Sequence, residues 1–324
     1  MQALFAGPDL IAQLQKLHAT VAVAITDLSP ERAQIVRRLN QEHIPAVAWI
    51  MLSREDGVYL NAGNAPAAAA RIAAFEKWTA GNSLQWSAVG LDIEPDFGEL
   101  SALRQHPWRL ISTLVFRCFD FARMRRASQA YSEIVSRLQA GGYSVQTYQM
   151  PYRPAERSTG STLPDRLLGT LDVRGNIEYL MIYTSFARPV GAGMIWSLGP
   201  GAQGIAIGVT DGDSRPGVGS GPLDWDEVSR DLIVASHFTR HIGVYNLEGA
   251  VKQGFLPRLI AMDWNQTVTI PPDSIARARR IRFISHAVLL TLPFLPELIL
   301  AVFVLLVWLV RRRIVKKRRA GQLA

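Results

Sequence analysis

Residues 87–96 read SAVGLDIEPD, an apolar, β-prone run that ends in three acids spaced two apart: Asp92, Glu94 and Asp96. Successive side chains on a strand alternate sides, so the three carboxyls are expected on one face, with Leu91 and Ile93 on the other. Pro95 helps to close the strand. Like charges held that close cannot all ionise freely, and at least one carboxyl is expected to have a raised pKa. A carboxylate cluster that shares a proton is what cleavage of a glycosidic bond requires. The same acids have a structural reading, as a strand-end carboxylate that caps the next helix or pairs with an arginine.

The elements that must position these acids repeat along the chain. Strand-like apolar runs fall at residues 20–27, 46–53, 88–94, 144–150, 179–185, 204–211 and 242–248, with helical patterns at 30–42, 65–79, 128–140 and 224–238 between them. Strands alternating with helices predict a parallel sheet, and seven such units overshoot an ordinary open doubly wound sheet. The expected fold class is therefore α/β, a (β/α)8 TIM-type barrel over residues 1–270. The count is one strand short, because the helix-like stretch 10–17 precedes the first clear strand. The first strand is then expected at residues 1–6 or upstream, in an abbreviated chain. With that strand counted, Asp92 and Glu94 end strand four, on the C-terminal rim where this fold carries its active sites. Polar or aromatic residues close the other strands: Asp27, Trp49, Ser53, Tyr148, Gln149, Tyr183, Thr184, Asp211, Tyr245 and Glu248. So many groups converging on one rim predict a cleft.

A barrel whose fourth strand ends in Asp-x-Glu, with a tyrosine near the end of strand six, resembles the chitinase-type glycoside hydrolases. That family's strand-four motif is Asp-Gly-x-Asp-x-Asp-x-Glu. Aligned on Glu94, Asp92 matches the assisting aspartate, while Ser87, Ala88 and Gly90 replace the earlier Asp, Gly and Asp. Sliding the register by two matches Gly90 and Asp92 but puts Asp96 in the acid's place. The stretch 180–184 keeps the Met and Tyr of the family's Gln-Met-x-Tyr-Asp and loses its Gln and Asp. The resemblance implies substrate-assisted retention, with the sugar's own N-acetyl group attacking. Glu94 is then the general acid and Asp92 its assistant. Tyr183 is expected to hydrogen-bond an N-acetyl group or hydroxyl, and Trp49, Tyr148 and Tyr245 to stack on sugar rings, with Asp96 and Glu248 among the binding residues. For a two-acid mechanism the second carboxylate would be Glu248, Asp211 or Asp27.

From 287 to 310 the chain is almost wholly apolar, long enough at ~1.5 Å per residue to span a hydrocarbon core of roughly 30 Å. Pro293 and Pro296 are expected to kink it, and Glu297 near its middle costs about 3 kcal/mol unless satisfied. A re-entrant hairpin turning at 292–297 is the alternative. A basic linker (271–286) precedes the segment and a basic tail (311–324) follows it. Residues 274–324 hold eleven of the 35 basic residues and one acid, leaving 24 basic against 26 acidic residues in 1–273. The body thus has no global attraction to nucleic acid, despite the formal net charge of +8. The basic tail places the C-terminus in the cytoplasm by the positive-inside tendency, with the barrel outside. That topology requires an export signal, and none is visible in the first eight residues, so either the true N-terminus is expected upstream or the body is cytoplasmic. The expected partners are a carbohydrate and, through 287–310, a lipid bilayer; the sequence names no protein partner.

Other signals are weaker. Cys118 is alone, excluding an intrachain disulfide and thiol-rich metal sites. His237 and His241 have helical ligand spacing without a zincin's glutamate, loop 211–222 lacks the glutamate of a calcium loop, and no metal or cofactor is expected. Loop 211–222 reads as a lid over the cleft. Residues 107–126 carry five arginines on an apolar stretch, read either as an inserted helix packed on the barrel or as a membrane-surface helix.

Overall fold

The computed structural model describes residues 2–5, 7, 9–96, 98–99, 113, 116–211, 221–291, 294, 301–309 and 311–312. Seven five-residue strands, β1 (Val21–Ile25), β2 (Ala46–Ile50), β3 (Ala88–Asp92), β4 (Val145–Gln149), β5 (Ile177–Met181), β6 (Gly204–Gly208) and β7 (His241–Tyr245), form one sheet. All six pairings are parallel and the strands lie in sequence order, from β1 at one edge to β7 at the other. Sequential parallel order is the arrangement of a barrel wall, and the sheet does curl. In a flat sheet β2 and β7, five positions apart, would be separated by about 24 Å at ~4.8 Å per strand. Yet the rings of Trp49 on β2 and Tyr245 on β7 meet edge-on, with centroids 6.0 Å apart. This is an α/β, barrel-like fold.

The crossovers are helical: α1 (Leu10–Lys16) before β1, then α2 (Pro30–Gln41), α3 (Ala65–Gly81), α4 (Phe121–Ala140), α5 (Arg153–Thr159), α6 (Leu163–Leu168), α7 (Gly191–Leu198), α8 (Trp225–Ser236), α9 (Leu247–Lys252), α10 (Phe255–Ile260) and α11 (Pro272–Thr291). Several begin on the expected signals. Ser29 accepts from the Arg32 amide at the start of α2, where Pro30 opens the first turn. Asp224 and Glu227 form a reciprocal capping box on α8. The convex sheet face is β-branched and aliphatic, with Val23, Ile25, Ile50, Val89, Leu91 and Ile207 all essentially inaccessible. That face is the core, packed under the helices.

The early chain differs from the sequence expectation. Gln2–Phe5 is a helical turn rather than a strand, so Asp92 ends the third observed strand. β5 starts two residues before the expected run, and the chain turns into a 3-10 helix at Thr184–Ala187 instead of extending to 185. The stretch expected as a basic linker is the helix α11, which packs along α7 and α5. No helix among the described residues is long and apolar enough to cross a membrane. The middle of 287–310 and the tail from 313 lie outside the described residues, as do 212–220 of the expected lid and most of 100–115.

Candidate active site on the concave face

Aligned residues in a parallel ladder project from the same face, so the register assembles the site. Trp49 aligns with Gly90, Asp92 with Tyr148, and Tyr148 with Tyr179. These side chains stand on the concave face, with Tyr245 reaching in from β7. Between them the concave face carries small residues: Ala22, Ala24, Ala88, Gly90, Gly204, Ala206 and Gly243. The small residues make room for the rings. A Cβ on Gly90 would lie 2.9 Å from the Tyr148 ring, and one on Gly204 would lie 2.6 Å from the Tyr179 ring. Tyr148 and Tyr179 stack at 5.3 Å, and the Tyr148 hydroxyl donates to Gln146 Oε1 at 3.2 Å.

Asp92 is 3% exposed, and its Oδ2 accepts a hydrogen bond from the indole Nε1 of Trp49 at 3.2 Å. Its backbone is pinned from both sides: the Leu60 amide donates to the Asp92 carbonyl, and the Ile93 amide donates to the Tyr148 carbonyl. The Glu94 amide returns a bond to Leu60, so a one-residue bridge at Leu60 and Ile93 extends the ladder just far enough to carry Glu94. Glu94 itself is partly exposed at the rim. Tyr183, just past β5, stacks on Tyr245 at 5.4 Å. Its phenol pKa is held well above the usual value by burial first, then by the charges of Asp92 and Glu94, and further by Tyr245 and Tyr59. Burial, with Tyr179 and Asp92, likewise raises the Tyr148 phenol. Both phenols therefore remain neutral hydrogen-bond donors through the physiological range.

Six residues expected at the site are thus gathered on one concave rim: Trp49, Asp92, Glu94, Tyr148, Tyr183 and Tyr245. Asp96 goes elsewhere. β3 ends at Asp92, so strand alternation no longer governs position 96; its Oδ1 accepts from the Glu99 amide at 2.8 Å. There it begins the next turn, the capping role open to a strand-end acid, and lines a separate cavity of about 410 Å³ with Glu55, Asp56, Asn61 and Arg123. Glu248 stands exposed in the first turn of α9. Asp27 is bound by Arg32 at 2.6 Å, and that bond holds its carboxyl well below the ordinary range. Asp211 lies 3.4 Å from Lys252.

His237 Nδ1 is 2.7 Å from the Ile233 carbonyl, and His241 is exposed at the start of β7. Among the described residues no cluster of three His, Cys, Asp or Glu side chains is placed to hold a metal. Of the arginines in 107–126, Arg117 is drawn in to Glu99 and the Leu167 carbonyl, whereas Phe116, Phe119 and Phe121 are exposed.

Sequence reasoning missed Tyr59, Gln146 and Tyr179. Tyr179 had a signal, since it alternates with Met181 and Tyr183 at spacing two. Tyr59 had none, because it enters from the long connection after β2. Protein-family models and curated proteins yield no match to this chain.

Proposed function

We propose that this protein is a membrane-anchored glycoside hydrolase of (β/α)8 type that cleaves or binds a surface or envelope carbohydrate. The observation that carries the reading is the convergence of Asp92 and Glu94 with Trp49, Tyr148, Tyr183 and Tyr245. Sugar recognition calls for such a combination: aromatic faces for the apolar side of a pyranose, and fixed donors and acceptors for its hydroxyls. In the proposed reaction Glu94, in its acid form, protonates the leaving glycosidic oxygen. Asp92 then stabilises the positive charge that develops on the sugar ring. In the substrate-assisted route that the chitinase-type resemblance implies, the sugar's N-acetyl oxygen attacks the anomeric carbon and Tyr183 donates to that group. Completion of the barrel is part of the proposal, and it is supported by the packing of α1, before β1, on α10, after β7.

The anchor is proposed from the apolar run 287–310. Helical residues 301–309 are exposed throughout, and the guanidinium of Arg312 lies 5.1 Å from the Trp308 ring centre. A tryptophan beside a basic cluster is the composition of a membrane–water interface. With the basic tail in the cytoplasm, the barrel stands outside.

A catalytically silent sugar-binding module is the second reading. It is favoured because Asp27 is committed to Arg32, and Glu248 stands exposed on α9. The decisive experiment assays the full chain on a glycan and aryl-glycoside panel beside Glu94→Gln. Hydrolysis should fall by about 10²–10⁴-fold in the variant, with saccharide affinity kept. Binding without turnover in either protein would select the module; neither binding nor turnover from folded protein would sink the carbohydrate reading for that panel.

A further inference from the structure

The end of the sheet that faces the membrane is not given by the sequence, but the path of α11 points to it. α7 follows β5 and leads into β6, so it runs from the C-terminal rim of the sheet to the N-terminal rim. α11 lies along it in the same direction. Near its start the Ser274 hydroxyl accepts from the Gly193 amide at 3.1 Å, and farther on Arg282 donates to the Ser197 carbonyl at 2.5 Å. Contact is close enough that a Cβ on Gly193 would run into the Ser274 backbone. Farther still, His286 Nδ1 comes within 3.4 Å of Ser158 Oγ, near the lower end of α5. Ser274, Ala278 and Leu289 are buried along one stripe, so α11 is a packed strut about 30 Å long by helical rise. It delivers the apolar segment to the N-terminal rim.

The two rims also differ in charge. The four residues after each strand include Glu94, Asp96 and Glu248, with Asp27 and Asp211 paired to Arg32 and Lys252, against Arg54 and an Arg153 buried in ion pairs. The four residues before each strand hold Glu42 as their one carboxylate, with Arg240 and with Arg174, which is paired to Asp172. Arg277, Arg279 and Arg280 on α11 are exposed and make no ion pair among the described residues. An anionic lipid surface attracts the second set and repels the first.

We infer that the N-terminal rim is the surface that meets an anionic lipid bilayer, so that the Asp92–Glu94 cleft opens on the far side, toward glycan held clear of the headgroups. This rests on the reading of 287–310 as an anchor, and it adds which way the barrel stands on that anchor. It does not require the protein to be an enzyme.

The test uses the full chain in a Cys118→Ser background, reconstituted into phosphatidylcholine–phosphatidylglycerol vesicles that carry a headgroup nitroxide lipid. One fluorophore is placed through Gln85→Cys, on the connection before β3, and another in a separate protein through Arg54→Cys, after β2. Both positions are exposed. Quenching at position 85 should be several-fold stronger than at 54. Equal quenching, or stronger quenching at 54, in protein that floats with the vesicles overturns the orientation while leaving the anchor standing. Protein that does not float with the vesicles overturns the anchor, and the orientation with it.

Discussion

Behind β4, Glu156 and Asp165 are buried around Arg153; on the concave face, Asp92 is buried among aromatic rings. Arg153 is 1% exposed and its fork is fully used. It donates to Asp165 at 2.7 and 2.8 Å, to the Leu171 carbonyl at 2.9 Å, to Gln149 at 3.2 Å and to Glu156. Asp165 accepts further from Thr170 at 2.6 Å, and the Asp165 amide donates to Glu156 at 3.2 Å. Each of the four carboxylate oxygens accepts at least one of these bonds, which makes the group a structural joint between α5, α6 and the approach to β5. Asp92 is held by an indole, with phenols nearby whose protons stay put. The contrast separates two uses of a buried acid. Saturated by a guanidinium, it fixes the chain; set among rings and neutral phenols near a second acid, it belongs to the site proposed to meet a sugar.

Arg153→Met tests the structural half most severely. It leaves two carboxyls buried without their cation, and unfolding by denaturant should show a loss of about 3–5 kcal/mol. The pH dependence of the same joint follows from Glu156. Burial, with Asp165 sharing the guanidinium, pushes its carboxyl up to about 8 from an ordinary 4.5 despite the Arg153 charge. Between those values the folded protein keeps a proton that the unfolded chain has released. The contribution is therefore fully present below about 4.5 and lost as pH rises through about 8. Denaturant titrations from pH 5 to pH 9 should show wild type losing a few kcal/mol that Glu156→Gln does not. A wild type that gains stability over that range would refute the assignment.

Asp92→Asn probes the other half. It removes charge from the concave face and keeps the shape, so turnover should fall by roughly a hundredfold while the melting midpoint stays or rises. A large stability loss instead would move Asp92 into the structural class with Asp165. Gly90→Ala is the mildest of the four. Its methyl presses on the Tyr148 ring, and a cost of about 1–3 kcal/mol is expected, with saccharide affinity weakened in step.

How much was legible depends on how local the signal was. The seven strands sit inside or beside their expected runs because β-branched, apolar stretches must be buried wherever they pair. β5 shifted because Ile177 and Glu178 look unremarkable until β4 and β6 flank them. Within the site, Trp49, Asp92, Tyr148 and Tyr245 were readable because a period of two fixes their face. Asp96 was not, because the ladder stops four residues earlier and an amide of the next turn captures its carboxylate. The Arg153 joint was invisible: its partners are three and twelve residues away, with no period that announces them.

The parallel pairing of strands, the side on which Trp49, Asp92, Tyr148 and Tyr245 project, and the apolar C-terminal run follow from the sequence alone, because they depend on short-range alternation and on hydropathy. Only the tertiary structure decided that the sheet curls enough to bring β2 against β7, that Tyr59 and Tyr179 join the cluster, and that α11 descends to the N-terminal rim. Those outcomes depend on which surfaces remain to be packed once the strands have paired, and that is a property of the assembled sheet rather than of any one segment.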